Sequence, residues 1–217
     1  MAESDEEKSK IEGAYTQLMR EVFFSNYRAG LREFVFGREE FSDAAKKLNL
    51  ATPKNIGDIV YSFRYRRSLT PEILETQPDG YFWLILGAGD AKYRFRLSSI
   101  CYIEPTRGLL VRKIPDATPE IISRYALSDE QALLAKVRYN RLLDIFLGIS
   151  TYSLQNHLRT KIPDYGQIEI DEVYVGLDSR GAQYIIPVQA KGGNDKLGVI
   201  QTIQDHIFCA NQIKYAD

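Results

Sequence analysis

Cysteine and histidine are scarce in this sequence. The only two cysteines, Cys101 and Cys209, stand far apart, which excludes a Cys-x-x-Cys zinc pair and a disulfide framework. There are two histidines, and His157 has no second one near it, so a histidine-based metal site is not expected. No Gly-Lys-Ser or Gly-Lys-Thr occurs. Gly87-Ala88-Gly89 lacks the third glycine and the strand-to-helix setting of a dinucleotide fingerprint, and it reads as a hairpin turn. No apolar run approaches the ~20 residues of a membrane-spanning helix. The acidic start, with Glu3, Asp5, Glu6 and Glu7, is unlike a signal peptide. No membrane association and a cytoplasmic setting are therefore expected. Internal repeats and low-complexity tracts are missing as well.

What is present is enough apolar material for a core. With 217 residues and 44% hydrophobic content, the chain can bury one large core or two modest ones. Its net charge of −1 does not by itself announce a nucleic-acid partner, because local basic surfaces set phosphate contacts. Such a surface is visible at 92–113, where Lys92, Arg94, Arg96, Arg107, Arg112 and Lys113 face one acid, Glu104. The run Ile114-Pro115-Asp116-Ala117-Thr118-Pro119 breaks the periodicity on both sides. It divides the chain into an expected 1–115 unit and a 116–217 unit.

In the first unit, 39–50 reads as a short helix with Phe41, Ala44, Ala45 and Leu48 inward. A turn at 49–53 follows, and 54–67 reads as a second helix carrying Lys54, Asn55, Arg64, Arg66 and Arg67. Two short helices joined by a tight turn suit a helix-turn-helix, whose second helix enters the major groove. Residues 81–86 and 92–97 then form an expected hairpin, with Arg94 and Arg96 alternating against aromatics. Helices followed by a hairpin resemble a winged-helix module. The same pattern fits an ordinary α+β subdomain with a wet basic strand.

Near the C-terminus, 167–176 alternates isoleucine and valine with acidic residues. Leu177-Asp178-Ser179-Arg180-Gly181 supplies a turn, and 184–193 is a second β-rich run, together the signature of a β-hairpin. Successive side chains point to opposite faces, so Glu169 and Asp171 share one face and Gln189 and Lys191 share another. If those faces adjoin, the polar groups converge at one end of the hairpin. Mg²⁺ needs hard oxygen ligands and keeps several waters, so Asp171, the Gln189 side-chain oxygen and the backbone carbonyl of Ala190 are candidate ligands. Lys191 would stand beside an attacking water, the role a positioned cation plays in metal-assisted phosphodiester hydrolysis. The competing reading of the same residues is the solvated edge of a sheet.

Glu-x-Asp on one strand, a turn, and an apolar strand ending in Gln189-Ala190-Lys191 resembles the PD-(D/E)xK nuclease superfamily, which includes most type II restriction endonucleases. The resemblance implies that Asp171 is the metal-binding aspartate, that Gln189 takes the second acidic position, and that Lys191 is the lysine. A neutral Gln removes one negative charge from the ligand set, which Glu169 or Glu172 could supply. Some restriction enzymes of the superfamily, modification-dependent ones included, are similar in carrying Gln there.

The resemblance further implies a fold of α+β or α/β class, with the winged-helix-like module followed by a restriction-endonuclease-like mixed sheet flanked by helices. Ser128-Asp129-Glu130-Gln131 looks like a capping box opening one helix of about five turns up to Gly148. Glu130 is there a candidate acid near the metal, though the helix macrodipole alone favours an acid in a first turn. The polar stretch 152–161 has two readings: a set of phosphate contacts through His157, Arg159 and Lys161, or a surface helix with Leu154 and Leu158 inward. Residues 195–209 read as a helix with Gln201 and Gln204 near the site. Domains of the resembled type continue with a further strand, and this sequence ends soon after that helix. Either the core closes differently or the form is shortened and its catalysis impaired.

The expected function is a Mg²⁺-dependent hydrolase, a restriction-modification endonuclease acting on double-stranded DNA, with a homodimer to cut both strands of a palindrome. Two alternatives are a DNA-binding regulator with a degenerate nuclease domain and a structure-specific repair nuclease. Recognition sequence, cut position and methylation sensitivity are not written in these residues.

Overall fold

The computed structural model describes residues 2–125 and 130–212, with side chains from Gly13 onward. Among the described residues it is a mixed α+β chain with eight helices and three small antiparallel sheets. The chain splits into two units: Met1–Cys101 with Pro163–Gly166, and Tyr102–Ile162 with Gln167–Asp217.

The first unit contains α1 (Ala2–Asn26), β1 (Glu33–Gly37), α2 (Glu39–Lys47), α3 (Ile56–Tyr65), α4 (Pro71–Leu74), β2 (Phe82–Gly87) and β3 (Lys92–Ser98). Its sheet has the order β1-β3-β2. Alternation sets the faces of β3: Phe95 and Leu97 are buried among the core residues, while Arg94 and Arg96 take the other side. Leu18, Met19, Val22 and Phe23 of α1 form an i, i+1, i+4, i+5 stripe that is at most 1% exposed. Phe23 lies edge-on to Phe34, Trp83 and Phe95 at centroid distances of 5.2, 5.5 and 4.9 Å, which suits aromatic quadrupoles. The hairpin expected at 81–97 is present as β2 and β3, paired from Phe82↔Ser98 to Gly87↔Tyr93. The expected second helix begins at Ile56, later than 54, because Asn55 occupies an extended N-cap position. Lys54 and Asn55 therefore precede the helix. The connection between α2 and α3 spans 48–55 and is longer than a tight turn.

The second unit contains β4 (Tyr102–Ile103), α5 (Glu120–Tyr125), α6 (Glu130–Tyr139), α7 (Leu142–Leu147), β5 (Ser150–Ile162), β6 (Gly166–Leu177), β7 (Gln183–Val188), β8 (Leu197–Gly198) and α8 (Val199–Gln212). Its main sheet has the order β5-β6-β7. The hairpin expected at 167–193 is formed by β6 and β7, in register from Glu172↔Val188 to Leu177↔Gln183.

Three sequence expectations are corrected here. The single long helix is two, α6 and α7, broken at Asn140 and Arg141. Arg141 has a left-handed φ of 49°, and the Asn140 side chain donates to the Lys136 carbonyl (2.9 Å) that its own N–H also uses. Side-chain competition of this kind ends helices. Gly148 does stop α7, in the left-handed conformation. The Ser128 and Asp129 part of the capping box lies outside the described residues. The helical reading of 152–161 is replaced by a strand, β5, since the β-branched and aromatic residues of 149–152 start an extended run that continues to Ile162. The C-terminal helix starts at Val199, because 192–195 is a turn and Leu197–Gly198 pairs with β4.

Candidate functional site

β6 carries the chemistry on two faces. Ile168, Ile170 and Glu172 are at most 1% exposed on one face, while Glu169 and Asp171 share the other and are half-buried. Just past β7, the Ala190 N–H donates to Asp171 Oδ2 at 2.8 Å. This single bond fixes Asp171 at the mouth of the hairpin, beside the Gln189-Ala190-Lys191 segment.

Gln189 is held from three sides. Its Nε2 donates to the Glu169 carbonyl at 3.2 Å and to Asp205 Oδ1 at 2.8 Å, and its Oε1 accepts from Gln201 Nε2 at 3.1 Å. Gln201 and Asp205 are four residues apart on α8 and so share a helix face. Burial, with the charge of Asp171 added, pushes the Asp205 carboxyl up to about 6 against the opposing effect of the Gln189 bond. One turn on, burial raises the Cys209 thiol, and the charge of Asp205 raises it further. Asp205 is the site residue that the sequence reading missed. Its signal was its spacing from Gln201, already assigned to the near face of the helix.

The structure thus brings together Asp171, Gln189, Ala190 and Asp205, with Lys191 half-buried two residues beyond Gln189. Glu169 is on the same strand face and pairs with Arg159 at 3.1 Å. Glu172 is not part of this group: it is 0% exposed on the opposite face, where Arg138 Nη2 reaches it at 2.8 Å and the Ser153 hydroxyl donates to it. Burial, reinforced by the charge of Glu172, pushes the neighbouring Tyr174 hydroxyl up to about 12. Glu130 lies on the α6 stripe with Leu134 and Arg138, the stripe that meets Glu172 and not Asp171. Among the described residues no group of three or more His, Cys, Asp or Glu stands in a metal-holding arrangement. The site is two carboxylates braced by amides.

The expected DNA-contacting cations divide between the units. Arg64 is tied into the fold: its Nε donates to the Ile85 carbonyl at 2.8 Å, and its guanidinium faces Tyr65 and Tyr93. Arg66 lies over Tyr61 and Arg67 over Phe63. Arg94 pairs with Glu33 at 3.8 Å, and Arg96 stands opposite Glu33 in the ladder, exposed. Lys54 and Asn55 are exposed ahead of α3. In the second unit His157 sits exposed at a left-handed kink in β5, two residues before Arg159.

A cleft of about 770 Å³ opens elsewhere in the second unit, lined by Tyr139, Asn140, Arg141, Asp144, Leu177 and Asp178 among others. It lies at the turn end of the β6–β7 hairpin, about 20 Å along the strand from Asp171 at ~3.3 Å per residue. Its acids are spent on structure. Asp144 holds Arg141 and Thr151 and is drawn down to about 2 against the effect of its burial, chiefly by Arg141; Asp178 accepts from the Arg180 and Ala182 N–H groups. Size alone does not make it the centre of chemistry. No protein-family model matches this chain, and no curated protein or solved structure matches it either.

Proposed function

We propose that this chain hydrolyses phosphodiester bonds in double-stranded DNA, with Mg²⁺ held by the second unit and DNA engaged by the first. The observation that carries this reading is the convergence of Asp171 on the Ala190 N–H and of Asp205 on the adjoining Gln189 amide. Two nearby carboxylates, of which Asp205 is raised by burial and by the charge of Asp171, favour a divalent cation between them. Each uses one oxygen on the scaffold, Asp171 on the Ala190 N–H and Asp205 on Gln189, which leaves one oxygen of each for the ion. This donor set fits Mg²⁺, which binds through one or two carboxylates and keeps its waters. Bound Mg²⁺ would polarise the phosphate and lower the pKa of a bound water.

In this reading Gln189 holds Asp205 toward Asp171, since its own oxygen is engaged by Gln201. The missing charge at position 189 is thus supplied from α8. Lys191 orients the attacking water and offsets charge on the phosphate as it becomes five-coordinate. α3 followed by the β2–β3 hairpin supports a winged-helix-like reading of the first unit, with Lys54, Asn55, Arg66 and Arg96 as its exposed polar groups. A restriction role inside the cell is the setting that joins these two activities.

A second reading has one observation in its favour: the Gln189 oxygen is already bonded, as in a site that has become a scaffold. The chain would then be a DNA-binding regulator that never cuts. Plasmid DNA, methylated and unmethylated, incubated with the chain in Mg²⁺ or EDTA separates the two. Discrete Mg²⁺-dependent fragments, lost in Lys191→Ala and in Asp205→Asn, support the endonuclease, and smears without fixed ends favour a structure-specific enzyme. Intact DNA with a retained gel shift supports the regulator.

A further inference from the structure

β5 is the outer strand of its sheet, and residues 152–157 are all exposed. Its first backbone donor is taken, as the Thr151 N–H goes to Asp144 Oδ1 at 2.9 Å. From there to the kink at His157, where φ is 49°, the strand carries Tyr152, Ser153, Leu154, Gln155 and Asn156. None of these is charged or proline. Exposed edges in natural proteins are guarded by lysines, prolines or bulges. Here the guards, His157, Arg159 and Lys161, begin only past this stretch.

Tyr152 and Leu154 share one strand face, 59% and 60% exposed, and the preceding helix α7 leaves Ile145 59% and Phe146 84% exposed. Such a strip beside an open edge is costly in water.

We propose that β5 pairs antiparallel with β5 of a second copy of this chain across a two-fold axis, giving a continuous six-stranded sheet β7-β6-β5-β5-β6-β7. Antiparallel pairing of identical strands is self-complementary, as an isologous contact requires. With the axis at Leu154, that residue faces its own counterpart while Tyr152 faces Asn156 of the other copy, so a charge at the centre would repel itself. The uncharged stretch of β5 is the one that is open. Phe146 and Tyr152 from two copies offer on the order of 600 Å². With Ile145, Leu154 and the paired backbone the contact reaches the ~1,000 Å² expected of a specific interface. The inference rests on the edge and its side chains and not on the hydrolase reading. Because the axis stands perpendicular to the sheet, both Asp171 faces look the same way, three strand spacings or about 14 Å apart before any offset along the strands.

Sedimentation equilibrium of the full chain tests this. The wild type is expected at twice the 24.8 kDa chain mass. Leu154→Lys and Leu154→Glu should each sediment at one chain mass with unchanged circular dichroism. An equimolar mixture of the two should return to twice that mass, which a merely misfolded variant could not do. A wild-type monomer, a higher oligomer, a dimer that both variants leave intact, or a mixture that fails to recombine overturns the proposal.

Discussion

At Asp205 a carboxyl is carried into the protein with an amide and a second acid for company. Its folded pKa of about 6 exceeds the unfolded value near 3.8, so the folded state binds the extra proton between those pH values. Its contribution is therefore full below pH ~4 and is lost as pH rises through 6, by about 3 kcal/mol at most from a shift of roughly two units. Urea melts of Asp205→Asn and wild type without divalent ions should converge near pH 4 and separate by pH 7.5, the variant being the more stable. Superimposable profiles would remove Asp205 from the account. Arg138 presents the opposite case. It compensates Glu172, which has no solvent access, and Arg138→Met should cost about 3–5 kcal/mol because a buried charge is left alone. Adding Glu172→Leu to that variant should restore most of the loss in the same denaturation assay.

At the scale of elements, close approaches of backbone decide which glycines are needed. A Cβ on Gly87 at the end of β2 would run into the Tyr165 carbonyl, whereas on Gly37 at the end of β1 it would meet only the mobile end of Glu39. Gly87→Ala should cost about 1–3 kcal/mol in thermal melts, and Gly37→Ala well under 1 kcal/mol. The strands β2, β3, β6 and β7 were legible in the sequence because alternation is a local signal and their turns hold Gly or Asp. The α6–α7 break was not, as Asn140 acts through Asp116 and Thr118, more than twenty residues earlier in the chain. β1 escaped notice as well. Its five residues, Glu33–Gly37, give no periodicity of their own, and its pairing with β3 is remote in sequence. For the site, Asp171 and the 189–191 segment could be read from a hairpin, but Asp205 is joined to them only once α8 folds back.

For the molecule as a whole, a net charge of −1 means that, under the proposed function, DNA would be held by local cations, and several of the arginines are bound into the fold. Lys54→Ala with Arg96→Ala should weaken DNA binding and flatten its salt dependence by about one unit of slope for each phosphate that is no longer neutralised, with unchanged melting temperature. Arg64→Ala should instead lower the melting temperature, since it deletes the bond to Ile85 and the packing on Tyr65 and Tyr93. A binding loss without a stability loss for Arg64→Ala would reverse that assignment. The tip of the β5–β6 hairpin, Pro163–Gly166, belongs to the first unit although its strands belong to the second, and Tyr165 accepts from the Gly89 N–H. During synthesis the first unit therefore waits some sixty residues beyond Cys101 for its last piece. A ribosome-bound chain cut short before Tyr165 would carry an unfinished first unit, and a single proteolytic nick after Cys101 would part the first unit from its last piece while leaving every residue of the second on one fragment.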